Sequence, residues 1–209
     1  MHRKDSVEGK EVEGLIYSFE LWGRLLRIRL RWEEGGRLYV PVQKHTSRVI
    51  ELLTFPSPPL IGDGVITRLR GVEIGVKTAD CAPVVAIGRE CVGVAHVGWR
   101  GLSAGILENF INRLALHENP GEMFLFVGPC ARSCCYEVGQ DLRVLFPRDV
   151  EFREGKLFLD LQEAVIKRLL SLGVKRVGSY GFCTVCSEKF PSYRRERTKE
   201  RMLTSVMIL

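Results

Sequence analysis

Apolar residues recur along the chain in two periods, and each predicts a different element. Leu26, Ile28, Leu30 and Trp32 alternate with Arg27, Arg29 and Arg31, the period of two expected of a strand that buries one face. Gly35-Gly36 then predicts a turn into a second strand over 37–42, forming a hairpin whose arginine row is its solvated face. A Pro-rich stretch at 54–60 (TFPSPPL) reads as a loop. Short apolar runs at 64–67, 72–77, 83–87 and 91–97, each bounded by glycine or charge, make the centre of the chain strand-rich.

From Leu102 the period lengthens. Leu102, Ile106, Leu107, Phe110, Ile111 and Leu114 fall on one helical face, with Ser103 available as a cap and Pro120-Gly121 as the stop. Residues 123–127 read as a strand, 138–145 and 161–172 as helices, and 174–180 as a further strand. The mixture predicts an α/β or mixed α+β fold, a layered sandwich with a central mixed β-sheet and packed helices. The 209 residues carry no repeat and no interdomain linker, so 1–209 is read as a single domain.

Composition narrows the classes of function. With 45% hydrophobic and 27% charged residues the chain can bury a core. Its apolar runs fall far short of the roughly 20 residues of a membrane helix, and the opening MHRKDSVEGK has no apolar signal core. Seven cysteines, an odd number, suit free thiols or metal ligands in a reducing compartment. The expected location is therefore the cytoplasm, with no membrane partner, and the protein is expected to be a monomer or a homodimer. The net charge of +6 is concentrated at 189–201, where six cations face two anions. Aromatic residues do not interleave with this run as a nucleic-acid platform requires, so a small anion such as phosphate is the better partner.

Four histidines are present. His2 lies at the terminus and His117 at the end of a predicted helix, which leaves His45 and His96. His96 closes an apolar strand just before Gly98-Trp99-Arg100-Gly101, and Cys81 follows Asp80 at another strand junction. Strand ends of this kind are where sites form. A His–Cys–His set suits zinc with an open fourth position; it also suits a mononuclear copper centre, though no Met adjoins Cys81 or His96 as an axial ligand. A Cys81–His96 thiol nucleophile is a third arrangement. Cys183 and Cys186 form a C-x-x-C without a second such pair, and Cys130, Cys134 and Cys135 read as packing around a turn.

Several segments in order resemble one family. They are TADCAPV at 78–84, AHVGWRG at 95–101, VGPC at 127–130, CCYEVG at 134–139, FLDL at 158–161, Cys183-Thr184 and SYRR at 192–195. Together they resemble the laccase-domain family, also called polyphenol oxidase-like or YfiH-type purine nucleoside phosphorylases. Gln43-Lys44-His45 is similar to that family's glutamine-valine-histidine segment, with lysine in place of valine.

The resemblance implies a zinc site of His45, Cys81 and His96, with zinc ahead of copper. It implies phosphorolysis of adenosine, inosine, guanosine and methylthioadenosine, and deamination of adenosine. Arg100, Arg194 and Arg195 are the expected phosphate-binding group, with Asp80, Arg100 and Arg194 as the expected catalytic residues. Four histidines are too few for a multicopper oxidase. A mononuclear copper polyphenol oxidase and a Cys-His thiol hydrolase stay as alternatives. The chain departs from the family's pattern in three places: it lacks the glycine-rich segment near the N-terminus, it reads Ala131-Arg132-Ser133 where the family often has an Ile-Gly-Pro-like step, and it carries Glu196 and Lys199-Glu200-Arg201 where the family has aspartate and threonine-glycine-arginine.

Overall fold

The computed structural model describes residues 14–30 and 36–209. It opens with β1 (Leu15–Leu21) and β2 (Arg24–Arg29), joined at Trp22 and Gly23, whose φ angles of 54° and 68° make the two-residue turn. Next come the short β3 (Leu38–Tyr39) and β4 (Val49–Leu52). Four strands follow in close succession, β5 (Gly64–Thr67), β6 (Glu73–Thr78), β7 (Ala82–Ile87) and β8 (Val92–Val97). Helices α1 (Trp99–Ser103) and α2 (Ile106–Leu114) lead to β9 (Phe124–Val127), β10 (Glu137–Val138) and α3 (Gln140–Leu145). The chain then forms β11 (Val150–Arg153), β12 (Lys156–Leu159), α4 (Leu161–Ser171), β13 (Arg176–Ser179), α5 (Tyr193–Glu196) and β14 (Met202–Ile208).

Two large sheets stack, one of order β1-β2-β14-β6-β3 and one of order β13-β9-β7-β8-β5-β4. A third, small sheet has the order β10-β12-β11. All three mixed or antiparallel sheets, with few helices, make this the mixed α+β fold expected from the sequence. The alternation along each strand explains the layering. Val84 and Ala86 of β7 join a core with α2 and α4, whereas Val85 and Ile87 join a second core with β2, β6 and β14. The six-stranded sheet is thus covered on both faces, which is why β7 and β8 are buried at every position. Each fully buried Val, Leu, Ile or Phe there contributes about 1.5–3 kcal/mol.

Four expectations are corrected. The hairpin forms on the other side of β2, which pairs with β1 and with β14 rather than with the strand after Gly36. Leu38 and Tyr39 instead pair in parallel with β6. The arginine row is not simply solvated, because Arg29 Nη2 reaches Glu73 Oε1 at 2.5 Å across β14 and Arg27 Nε lies 3.6 Å from the same oxygen; Arg31, Trp32 and Gly35 lie outside the described residues. Ser103 does not cap a helix; it ends α1 with its hydroxyl donating to the Arg100 carbonyl, and Gly105, at φ 86°, starts α2. The helix expected at 138–145 is shortened at its start, where Glu137 and Val138 pair with β12.

No helix among the described residues is long and apolar enough to cross a membrane. Because β14 is hydrogen-bonded to both β2 and β6, deleting residues 202–209 is expected to abolish the cooperative thermal transition. Circular dichroism on heating checks this, and a truncated protein that still melts cooperatively would show that the strand is dispensable.

Candidate metal centre and its cavity

Two loops and the end of strand β8 deliver three ligand atoms to one point. Pro83 lies opposite His96, and Ala82 opposite Val97, in the β7–β8 ladder, so Cys81 just before β7 stands beside Gly98 just after β8. A Cβ at Gly98 would lie 2.8 Å from the Cys81 sulfur and 3.2 Å from the His45 ring, so only glycine lets these groups approach. The Cys81 sulfur is 3.9 Å from His45 Nε2, and the two imidazole centroids are 4.7 Å apart. The ligand atoms of His45, Cys81 and His96 all lie within 4.8 Å of one another. That spacing and donor set could hold one metal ion on three protein ligands, with a further coordination position open.

A residue absent from the sequence reading organises this set. Asp63 is fully buried just before β5. Its Oδ1 accepts from His96 Nδ1 at 2.8 Å and from the His45 backbone N–H at 3.0 Å. Its Oδ2 accepts from the Thr46 N–H (2.6 Å), the Thr46 hydroxyl (2.8 Å) and the Lys44 N–H (3.2 Å). Burial opposes ionisation, but the His96 and Thr46 hydrogen bonds outweigh it and hold Asp63 well below the usual carboxylate range. The carboxylate therefore fixes His96 with Nδ1 as donor and Nε2 turned toward the site. It also bends the His45 loop, where His45 itself takes φ 58°.

His96 and Asp63 form an ion pair, with Nδ1 2.8 Å from Oδ1. Burial alone would push the Cys81 thiol up, yet hydrogen bonds with His45 and His96 bring it down to about 6. Burial would lower His96, but Asp63 and Cys81 raise it to about 9.

The centre opens into a cavity of about 1080 Å³. Arg100, Arg194, Arg197 and Arg201 also line it, with Asp80 and Tyr136. Three of these guanidiniums are held over aromatic rings: Arg100 at 4.2 Å from the Trp99 centroid, Arg194 at 5.0 Å from Tyr136, and Arg197 at 5.0 Å from Tyr193. Arg195 does not line the cavity. Its Nη1 donates to the carbonyls of Thr184, Val185 and Ser187, and its Nη2 to the Phe190 carbonyl and Glu196. Both oxygens of Asp80 are engaged, Oδ1 by the Thr184 hydroxyl at 2.8 Å and Oδ2 by the Arg194 N–H at 2.6 Å. Asp80 takes φ 82°, so a strained turn holds it there. His117 is elsewhere, its Nε2 2.8 Å from Glu51 Oε1, and His2 lies outside the described residues.

Sequence reading missed Asp63, Arg197 and Arg201. The available signal for Asp63 was a carboxylate between two glycines, Gly62 and Gly64, at the start of an apolar strand.

The fold is that of YlmD from Geobacillus stearothermophilus, whose crystal structure matches with a TM-score of 0.82 at 23% identity, covering 96% of this chain and 98% of that one. The chain belongs to the family described as multi-copper polyphenol oxidoreductase laccase, whose model matches residues 24–209. A relative from Aquifex aeolicus named purine nucleoside phosphorylase is 45% identical over 209 residues, all of both chains. Purine nucleoside phosphorylase YfiH of Escherichia coli is 31% identical over 178 residues, covering 80% of this chain and 72% of that one.

Two outcomes test the geometry. Asp63→Asn is expected to cost about 3–5 kcal/mol of stability, because it leaves a buried charge partner and several N–H donors uncompensated; thermal and urea unfolding measure it, and an unchanged melting temperature would contradict the assignment. In metal-free protein, iodoacetamide labelling of Cys81, followed on its own peptide by mass spectrometry, is expected to be half-maximal near pH 6. The thiolate is the reactive form and dominates above that pH, whereas an unperturbed thiol gives about 8.5.

Proposed function

We propose that this protein is a purine nucleoside phosphorylase holding zinc on His45, Cys81 and His96. The observation that carries this reading is the sharing of one cavity by the three ligands and by a group of arginines. The names of the Aquifex aeolicus and Escherichia coli relatives support the reaction class. Substrates are inorganic phosphate and adenosine, inosine, guanosine or methylthioadenosine, and deamination of adenosine is a second activity of the same site.

In phosphorolysis an oxygen of the hydrogen phosphate dianion bonds to the ribose C1′ as the bond from C1′ to the purine nitrogen breaks, and the base leaves with the proton that the phosphate gives up. Arg100, Arg194 and Arg197 hold the phosphate dianion, pre-ordered by the rings beneath them. Asp80 acts as a positioning residue, since it grips the Arg194 backbone and the loop at Thr184 together. Zinc bound at the triad would supply Lewis acidity at its open position. Asp63 keeps His96 oriented, and Gly98 keeps the approach to Cys81 clear.

The test is metal content together with chromatography of adenosine and phosphate reactions. His45→Ala, Cys81→Ala and His96→Ala are each expected to lose one zinc per chain relative to the native protein and to release neither adenine nor inosine. Arg194→Ala is expected to raise KM for phosphate by about 10- to 100-fold, the worth of a charge-assisted hydrogen bond. Zinc-loaded native protein that releases no base in phosphate would overturn the reading. The lowered Cys81 thiol favours one other reading, a thiol hydrolase; ester or amide hydrolysis that persists without metal and is lost on Cys81 alkylation would favour it.

A further inference from the structure

Four cysteines that lie far apart in sequence meet at one point outside the cavity. Strands β9 and β13 are parallel neighbours, so the loops that follow them leave the sheet at the same end. An isolated parallel β-bridge pairs the backbones of Cys130 and Cys183, and with the 3.1 Å hydrogen bond from the Thr184 N–H to the Cys130 carbonyl it keeps the two loops side by side. Cys134 and Cys135 come from the first loop, Cys183 and Cys186 from the second. Their four sulfurs all lie within 4.8 Å of one another, and those of Cys134 and Cys186 are 3.1 Å apart.

We propose that Cys134, Cys135, Cys183 and Cys186 form a second metal site, a tetrathiolate that binds one zinc ion as a structural clamp. Four sulfurs at about 2.3 Å from a tetrahedral zinc stand about 3.8 Å from each other, which the observed cluster reaches with small side-chain adjustments. An iron–sulfur cube needs its cysteines to span a larger object. Consecutive residues of a strand point to opposite faces, but Cys134 and Cys135 sit in a turn closed by the Cys135 N–H on the Arg132 carbonyl at 3.1 Å, so both can reach one ion. In the other loop Cys183 and Cys186 are the ends of a C-x-x-C turn closed by the Ser187 N–H on the Cys183 carbonyl at 3.1 Å. The Arg153 guanidinium, donating to the carbonyls of Ser133 (3.1 Å) and Cys134 (3.5 Å), offsets the net negative charge of a tetrathiolate zinc.

The four protein ligands leave no open position, so the site is structural. What it secures is the loop that carries Thr184, which holds Asp80, and Val185, which holds Arg195. The clamp therefore braces the segment leading to Arg194 without touching the cavity.

The test uses full-length protein purified without chelator in reducing buffer. Native protein is expected to protect all four cysteines from alkylation until zinc is removed. Cys134→Ser/Cys186→Ser is expected to lose one zinc per chain by mass spectrometry while keeping the zinc that His45→Ala removes. Cobalt(II) loaded into His45→Ala is expected to give the intense visible bands and sulfur-to-metal charge transfer of a tetrathiolate, and this readout decides if the double variant does not fold. Rapid alkylation of all four cysteines in zinc-loaded protein would overturn the proposal, as would iron in place of zinc or a Cys134–Cys186 disulfide in the metal-replete protein. None of these readouts depends on nucleoside turnover, so the site stands or falls apart from the phosphorylase reading.

Discussion

The site depends on one buried carboxylate. Asp63 accepts five hydrogen bonds, three from backbone N–H groups of a single loop, one from the Thr46 hydroxyl and one from His96. Because its charge is compensated on every side, it can remain ionised where water does not reach. Its consequence is to couple two ligands that belong to different layers of the chain: the orientation of His96 on a core strand and the bend of the loop bearing His45. Removing the charge would loosen both at once.

A sheet covered on both faces makes this possible. Its strands β7 and β8 cannot slip without exposing one of two cores, so the ends of these strands are positioned to within the tolerance of packed side chains. Cys81 and His96 sit at those ends. The arginine side of the cavity is built differently, from a short helix and a tail pinned by Asp80 and by arginine–aromatic contacts. One half of the cavity is thus rigid by burial and the other by polar anchoring.

How much of this was readable varied with the physics of each part. Runs such as 83–87 and 91–97 announced themselves because a strand buried on both faces leaves no polar position. The triad His45, Cys81 and His96 followed from motif and junction, and the structure does bring the three together. β14 went unread because Thr204 and Ser205 are polar yet fully buried, which erases the contrast between faces. Arg195 looked equivalent to Arg194, but one step around a short helix turns its guanidinium onto loop carbonyls. The two cysteine pairs stood about fifty residues apart, and only the parallel pairing of β9 with β13, a long-range fact, joins them.

The placement of β14 also governs how fast the chain can reach this state. Leu203 pairs with Arg29 and with Lys77, so the five-stranded sheet closes only when segments near opposite ends of the sequence have met. Loop closure over that span is slow compared with local hairpin formation. Until it occurs, β2 and β6 present unpaired edges and an uncovered apolar core, the surfaces most prone to association with other chains. Newly made copies stay open to such association until β14 pairs, so yield in heterologous expression is expected to depend on temperature and chaperone supply as well as on the stability of the finished fold.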